Sequence, residues 1–179
     1  MNTHDSEGLS VDIARPEDAT AIAKIHFAAV HQTAAAWYSE EVRLAWSPPV
    51  NEGRIERMRL VIERSEEVTL VVRSHEAVVG FGSLVPADCE LRAVYVHPQW
   101  GRRGVGTLLL RSLEEQAQKQ GVPFLQMDAS LNAQRFYERN GYRVLARGLH
   151  RSRSGQKIDC VKMRKDLPVP GLPTTEPTT

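Results

Sequence analysis

Three glycines and two arginines stand together in Gly101-Arg102-Arg103-Gly104-Val105-Gly106, after an apolar run over residues 91–96 and before a helical pattern. These residue types suit anion binding. The first N–H groups of a helix have no partner within it, and the helix dipole adds partial positive charge there. Glycine lets a ligand approach the backbone and tolerates positive φ. Arg102 and Arg103 can add charge-assisted hydrogen bonds to phosphate oxygens, or can be solvated loop charges. The spacing Gly-x-x-Gly-x-Gly differs from the dinucleotide-binding Gly-x-Gly-x-x-Gly, and no Gly-Lys-Ser/Thr ending marks a P-loop. Alone, the segment fits a tight turn as well as an anion site.

The elements that must hold this turn follow from periodicity. Residues 91–96 are β-branched and aromatic and read as a buried strand; Pro98 ends it, having no N–H for the ladder. Val105, Leu108, Leu109, Leu113 and Ala117 make a helical stripe, with Glu115 and Lys119 paired on its outer side and Gly121 closing it. Upstream, Val11 and Ile13 alternate in a first strand. Pro16-Glu17-Asp18 opens a helix whose inner face is Ile22, Ile25 and Ala29. His26 and His31 lie near that stripe and read as helix-face residues. Ser39 caps a second helix carrying Val42, Leu44 and Trp46, and Asn51 caps a third with Ile55, Met58, Val61 and Ile62 inside. Residues 68–73 and 77–85 form a hairpin. Downstream, 124–127 is a short strand, 129–140 a helix, and 142–149 with 156–163 a closing hairpin. The order predicts one mixed α/β (α+β) sheet with helices on both faces.

Composition narrows the function classes. A chain of 179 residues, 41% hydrophobic and 25% charged, suits one globular domain, expected over 10–167. Residues 1–9 are expected to be a flexible N-terminus, and the Pro/Thr-rich 168–179 a disordered tail. A formal net charge of +1 gives no reason to expect nucleic-acid or polybasic membrane binding. Without a run of ~18 apolar residues, no transmembrane helix is expected. Given the polar, acidic start, no secretory signal is expected. Cys89 and Cys160 suggest reduced thiols, hence a cytoplasmic protein. The six histidines lack metal-ligand spacing, so no metal site is expected.

Two stretches resemble the GCN5-related N-acetyltransferase (GNAT) superfamily. The glycine turn is similar to that family's Gln/Arg-x-x-Gly-x-Gly/Ala pyrophosphate loop: Gly104 and Gly106 match, and Gly101 stands where Gln or Arg is usual. The segment Ser130-Leu-Asn-Ala-Gln-Arg-Phe-Tyr-Glu-Arg-Asn-Gly-Tyr142 resembles its Asn-x-x-Ala-x-x-Phe-Tyr-x-x-x-Gly-Phe/Tyr. Ala133, Phe136, Tyr137, Gly141 and Tyr142 match; Ser130 holds the Asn position, and Asn132 lies two residues later. The resemblance covers about residues 10–167 and extends to a branch of uncharacterised bacterial members. It implies a mostly antiparallel sheet of about seven strands. It also implies acetyl-CoA as cosubstrate, with no metal, and a primary amine that attacks directly in a ternary complex.

The resemblance also implies roles. The N–H groups of Arg102, Arg103, Gly104, Val105, Gly106 and Thr107 would hold the pyrophosphate. The backbone of Val94, Tyr95 and Val96 would leave its neighbouring strand, pair with the pantetheine amides and polarise the thioester carbonyl. Tyr137 would protonate the leaving thiolate, as a phenol that stays protonated at neutral pH. Asn132 is a further coenzyme-contact candidate. Glu90 resembles the family's glutamate base, with His97 as runner-up. The acceptor pocket would lie among the first two helices, the stretch holding Trp37, Tyr38 and Trp46, and the closing hairpin. It suits a small-molecule or peptide amine. The arginine-rich stretch 143–153 suits an acidic acceptor or a solvated hairpin. A homodimer is compatible with the sequence. The alternative is a non-catalytic acyl-CoA-binding or regulatory module, which could dispense with Tyr137.

Overall fold

The computed structural model describes residues 8–64 and 66–168. Seven strands form one sheet in the order β1-β2-β3-β4-β5-β7-β6. They are β1 (Leu9–Ile13), β2 (Val68–Ser74), β3 (Ala77–Val85), β4 (Glu90–Val96), β5 (Phe124–Ser130), β6 (Arg143–Arg151) and β7 (Lys157–Asp166). All neighbours are antiparallel except β4 and β5, so the sheet is mixed and mostly antiparallel as expected.

Helices cover the sheet unevenly. On one face, α1 (Ala19–Ala28) and α3 (Glu52–Arg64) pack over the N-terminal strands through Ile22 and Ile25 against Val71 and Phe81, with Met58 and Ile62 alongside. On the other, α4 (Val105–Lys119) and α5 (Gln134–Arg139) bury Leu109, Leu110, Leu113 and Tyr137 against Leu84, Leu125 and Met163. Burying each such leucine contributes about 1.5–3 kcal/mol. Helix and β4 both press on β3: a Cβ on Gly82 would stand 2.8 Å from a Leu113 methyl of α4 and 2.7 Å from the Ala93 carbonyl oxygen of β4. The short α2 (Glu40–Trp46) is capped by Ser39 Oγ, which accepts from the Val42 N–H.

Several expectations needed correction. The strand expected over 124–127 runs on to Ser130, because β7 pairs with it as far as Ser130↔Cys160. The expected 129–140 helix is therefore a 3₁₀ turn, Leu131–Ala133, followed by the six-residue α5. Ile13 points outward at the sheet edge, 68% exposed, while Leu9 and Ala14 are buried. β1 thus begins inside the stretch expected to be a flexible N-terminus. The acid of α4 that pairs is Glu114, 2.7 Å from Lys165 on β7, rather than Glu115 with Lys119. The remaining expectations for 1–7 and 169–179 lie outside the described residues. Among the described residues no helix is long and apolar enough to cross a membrane.

Candidate active site

β4 and β5 are joined at one end only. Their sole register pair is Glu90↔Gln126, reinforced by the Gln126 N–H donating to the Cys89 carbonyl at 2.9 Å. Beyond it, β4 pairs with β3 alone and β5 with β7 alone. The facing backbone edges of the two strands therefore splay apart, with polar groups free to bond a ligand. This is the departure of 94–96 from its neighbour that the resemblance implied. Cys89, at φ 51°, turns the chain into β4, and the His97 N–H still closes on Val79 in β3.

The glycine turn leads from the open end of this split into α4. A 3₁₀ turn, Pro98–Trp100, is followed by Arg102 at φ 63° and Gly104 at φ 81°. Gly104 is the N-cap of α4 and provides no side-chain cap. The first bond of the helix runs from the Leu108 N–H to the Gly104 carbonyl at 2.9 Å. The N–H groups of Val105, Gly106 and Thr107 thus lack helical acceptors. Arg103 sits over the Trp100 ring, 5.0 Å from its centroid, and both arginines are exposed. Gly106 leaves room for Phe136, whose ring would be 3.4 Å from a Cβ there.

That contact brings the two sequence motifs together. Tyr137 is buried, 7% exposed, and stands edge-on to Phe136 and Tyr142 at centroid distances of 5.0 and 5.6 Å. It shares a core with Val94, Val96 and Val105. Burial, and after it the neighbouring Tyr95, pushes the Tyr137 phenol well above its ordinary pKa. The hydroxyl is thus a neutral donor at any ordinary pH. Asn132 Oδ1 is buried with no hydrogen-bond donor, leaving an acceptor open for a ligand N–H.

The two base candidates are placed differently. Glu90 sits at the joined end of the split, its carboxylate accepting from Arg92 Nη2 at 2.6 Å, and Arg92 also donates to Glu67 at 3.0 Å. At a rise of ~3.3 Å per residue, Glu90 is roughly 20 Å along the strand from Val96. His97 uses Nδ1 to accept from the Gln99 N–H, capping the turn at 3.3 Å.

A pocket opens on the face of the split away from α4. Tyr38, Trp46, Tyr95, Asp128, His150 and Asp159 line it. Of the aromatics expected near an acceptor, Tyr38 and Trp46 meet at 5.4 Å, and Trp46 reaches Tyr95 at 6.4 Å. Trp37 faces solvent, 56% exposed. Burial foremost pushes the Tyr95 phenol up to about 12. Sequence reasoning missed Asp128 and His150. They are 22 residues apart and on different strands, and Asp128 fell between the strand expected over 124–127 and the helix expected over 129–140, whereas β5 runs to Ser130.

A polar knot fixes the pocket's helical wall. His31 Nε2 donates to the Ser47 carbonyl at 2.8 Å, from a wide π-type turn over Ala29–Thr33. Arg54 Nη2 donates to His26 Nδ1 at 2.6 Å and to Ser47 Oγ at 2.9 Å. A ring nitrogen that accepts from arginine must be unprotonated. Burial first, then the charges of Arg54 and His31, lower the His26 pKa to about 3.

A family model described as an acetyltransferase (GNAT) domain matches residues 34–167. The uncharacterized N-acetyltransferase YafP of Escherichia coli (strain K12) is 26% identical over 146 residues, covering 82% of this chain and 83% of that protein. A GCN5-related N-acetyltransferase structure from Rhodopseudomonas palustris is 32% identical with a TM-score of 0.77, covering 88% of this chain and 94% of that one. The PaiA N-acetyltransferase from Thermoplasma acidophilum, solved in complex with coenzyme A, shares the fold at a TM-score of 0.71 and 21% identity, covering 88% and 98%.

Proposed function

The chain belongs to the acetyltransferase (GNAT) family, and from that premise we propose that it transfers acetyl from acetyl-CoA to a primary amine by direct attack in a ternary complex. The observation that carries this reading is the split sheet, joined only at Glu90↔Gln126 and opening beside the uncapped N-terminus of a fifteen-residue helix. A pantetheine arm needs backbone partners along its length, and a pyrophosphate needs many donors at its end. The free edge of Val94, Tyr95 and Val96 supplies the first. The N–H groups from Arg102 through Thr107 supply the second, with the Arg102 and Arg103 side chains adding charge. Asn132 Oδ1 accepts from an N–H of the coenzyme, which relieves its buried, unpaired state.

The chemistry divides among the chain's own groups. An N–H at Val96 faces the thioester oxygen and stabilises the developing oxyanion, a contact of the kind worth about 3–4 kcal/mol in a water-poor site. Tyr137 gives its proton to the departing thiolate. The amine must lose a proton before it attacks; Glu90 holds the family position for that base, but it lies at the joined end of the split with its carboxylate bound to Arg92.

The test is coenzyme A release from acetyl-CoA in the presence of an amine panel. Release that depends on one amine class supports the reading. Stabilisation by coenzyme A against heat, with no release for any amine, would instead make the protein a binding module.

A further inference from the structure

The face of β5, β7 and β6 opposite α4 and α5 carries a carboxylate–imidazole pair that lies outside both sequence motifs. Asp128 Oδ2 lies 3.1 Å from His150 Nδ1, and Asp128 Oδ1 accepts from Lys162 Nζ at 3.0 Å. The three residues come from three different strands. Gly148 makes room for the meeting: a Cβ there would stand 2.9 Å from Lys162 Cε. Bonded to the carboxylate, Nδ1 carries the proton and Nε2 keeps a lone pair. Among the described residues Nε2 has no partner, and His150 lines the same pocket as Tyr95, a residue of the splayed part of β4.

We propose that this pocket receives the acceptor amine and that His150, oriented by Asp128, is the base that deprotonates it. The inference rests on the acetyl-transfer reading above. The acceptor arrives as R–NH3⁺ and gives one proton to His150 Nε2, leaving a neutral amine and an imidazolium. The nitrogen lone pair forms a bond to the acetyl carbon, and the C–S bond breaks. Tyr137 protonates the thiolate, and the second proton lost from nitrogen restores the phenol. His150 then releases its proton to solvent, so one proton leaves per turnover. The acids and aromatic rings of the pocket suit an arriving ammonium.

The surroundings fit a base that cycles. The charged groups around the imidazole are Asp128 from β5, Asp159 and Lys162 from β7, and Arg92 from β4. Cys160 and Tyr38 face the same space uncharged. Burial alone would raise the Asp128 carboxyl, but the bonds from Lys162 and His150 outweigh it and hold it below the usual carboxylate range. Asp128 therefore stays anionic and keeps the imidazole in one tautomer. Glu90, by contrast, is engaged by Arg92 at the closed end of the split.

The competing account is that Asp128, His150 and Lys162 merely fasten β6 to β5. A pH–rate series with an amine the wild type accepts separates the two. His150→Gln should lower kcat/KM for the amine about 10²-fold or more at neutral pH and lose the acid limb of the wild-type pH–rate profile. Coenzyme A binding and melting temperature should be retained, and added imidazole should restore part of the rate of His150→Gly. Asp128→Asn should show a smaller defect of the same pH form. A His150→Gln enzyme that keeps the wild-type pH limb overturns the proposal while acetyl transfer stands; so does a limb lost only in Glu90→Gln. A wild type that releases coenzyme A with no amine overturns acetyl transfer and the base together.

Discussion

The hydroxyl of Tyr38 lies 2.7 Å from the carbonyl oxygen of Asp159 and donates to it. It also accepts from the Leu131 N–H at 2.8 Å. One phenol thus ties the segment before α2 to β7 and to the turn that leads into α5. Tyr38→Phe leaves a carbonyl and an N–H unsatisfied in a largely buried place, at a cost of about 1–3 kcal/mol. The expected outcome is a lower melting temperature and a KM for the acceptor that rises more than the KM for acetyl-CoA. Equal changes in both constants would show that the bridge supports the fold but not the pocket in particular.

The two ends of α4 offer a matched pair. Gly104 at φ 81° and Gly121 at φ 71° both have open space where a Cβ would go, so alanine at either meets only backbone strain, about 1 kcal/mol. Both variants should lose similar stability in urea. Only Gly104→Ala should weaken coenzyme A binding by calorimetry, since only that end presents free N–H groups. Equal affinity in the two variants would remove the helix N-terminus from the phosphate site.

His26 makes stability depend on pH in a stated direction. Its folded pKa of about 3 lies below its unfolded value of 6.5, so below 6.5 the unfolded chain binds a proton that the folded chain refuses. Its contribution is complete above pH 6.5 and is lost as pH falls toward 3, at up to about 1.4 kcal/mol per pH unit. Urea unfolding at pH 6.5, 6 and 5.5 should show this loss above the range where carboxylates titrate. In His26→Gln the slope over that interval should flatten; an unchanged slope assigns it elsewhere.

The scaffold was legible in the sequence where one periodicity dominated. Leu109, Leu113 and Ala117 at helical spacing, Ser39 and Asn51 as caps, and Pro98 after a β-branched run all have local physical causes. The glycine turn and Phe136-Tyr137 were legible as motifs for the same reason. The end of β5 was not, because Asp128–Ser130 is held as strand by register with β7, a partner thirty residues away in sequence. The pocket was hidden with it. Tyr38 could be seen as aromatic but not as a bridge, and Asp128 and His150 become neighbours only when β6 folds back along β7.

The most direct test of acetyl transfer at the split is a single-turnover comparison of the wild type with Tyr137→Phe at saturating acetyl-CoA and amine. The account predicts that Tyr137→Phe binds acetyl-CoA with wild-type affinity and acetylates at least about 10²-fold more slowly. A variant that acetylates at the wild-type rate would contradict it, leaving Tyr137 as packing beside Phe136.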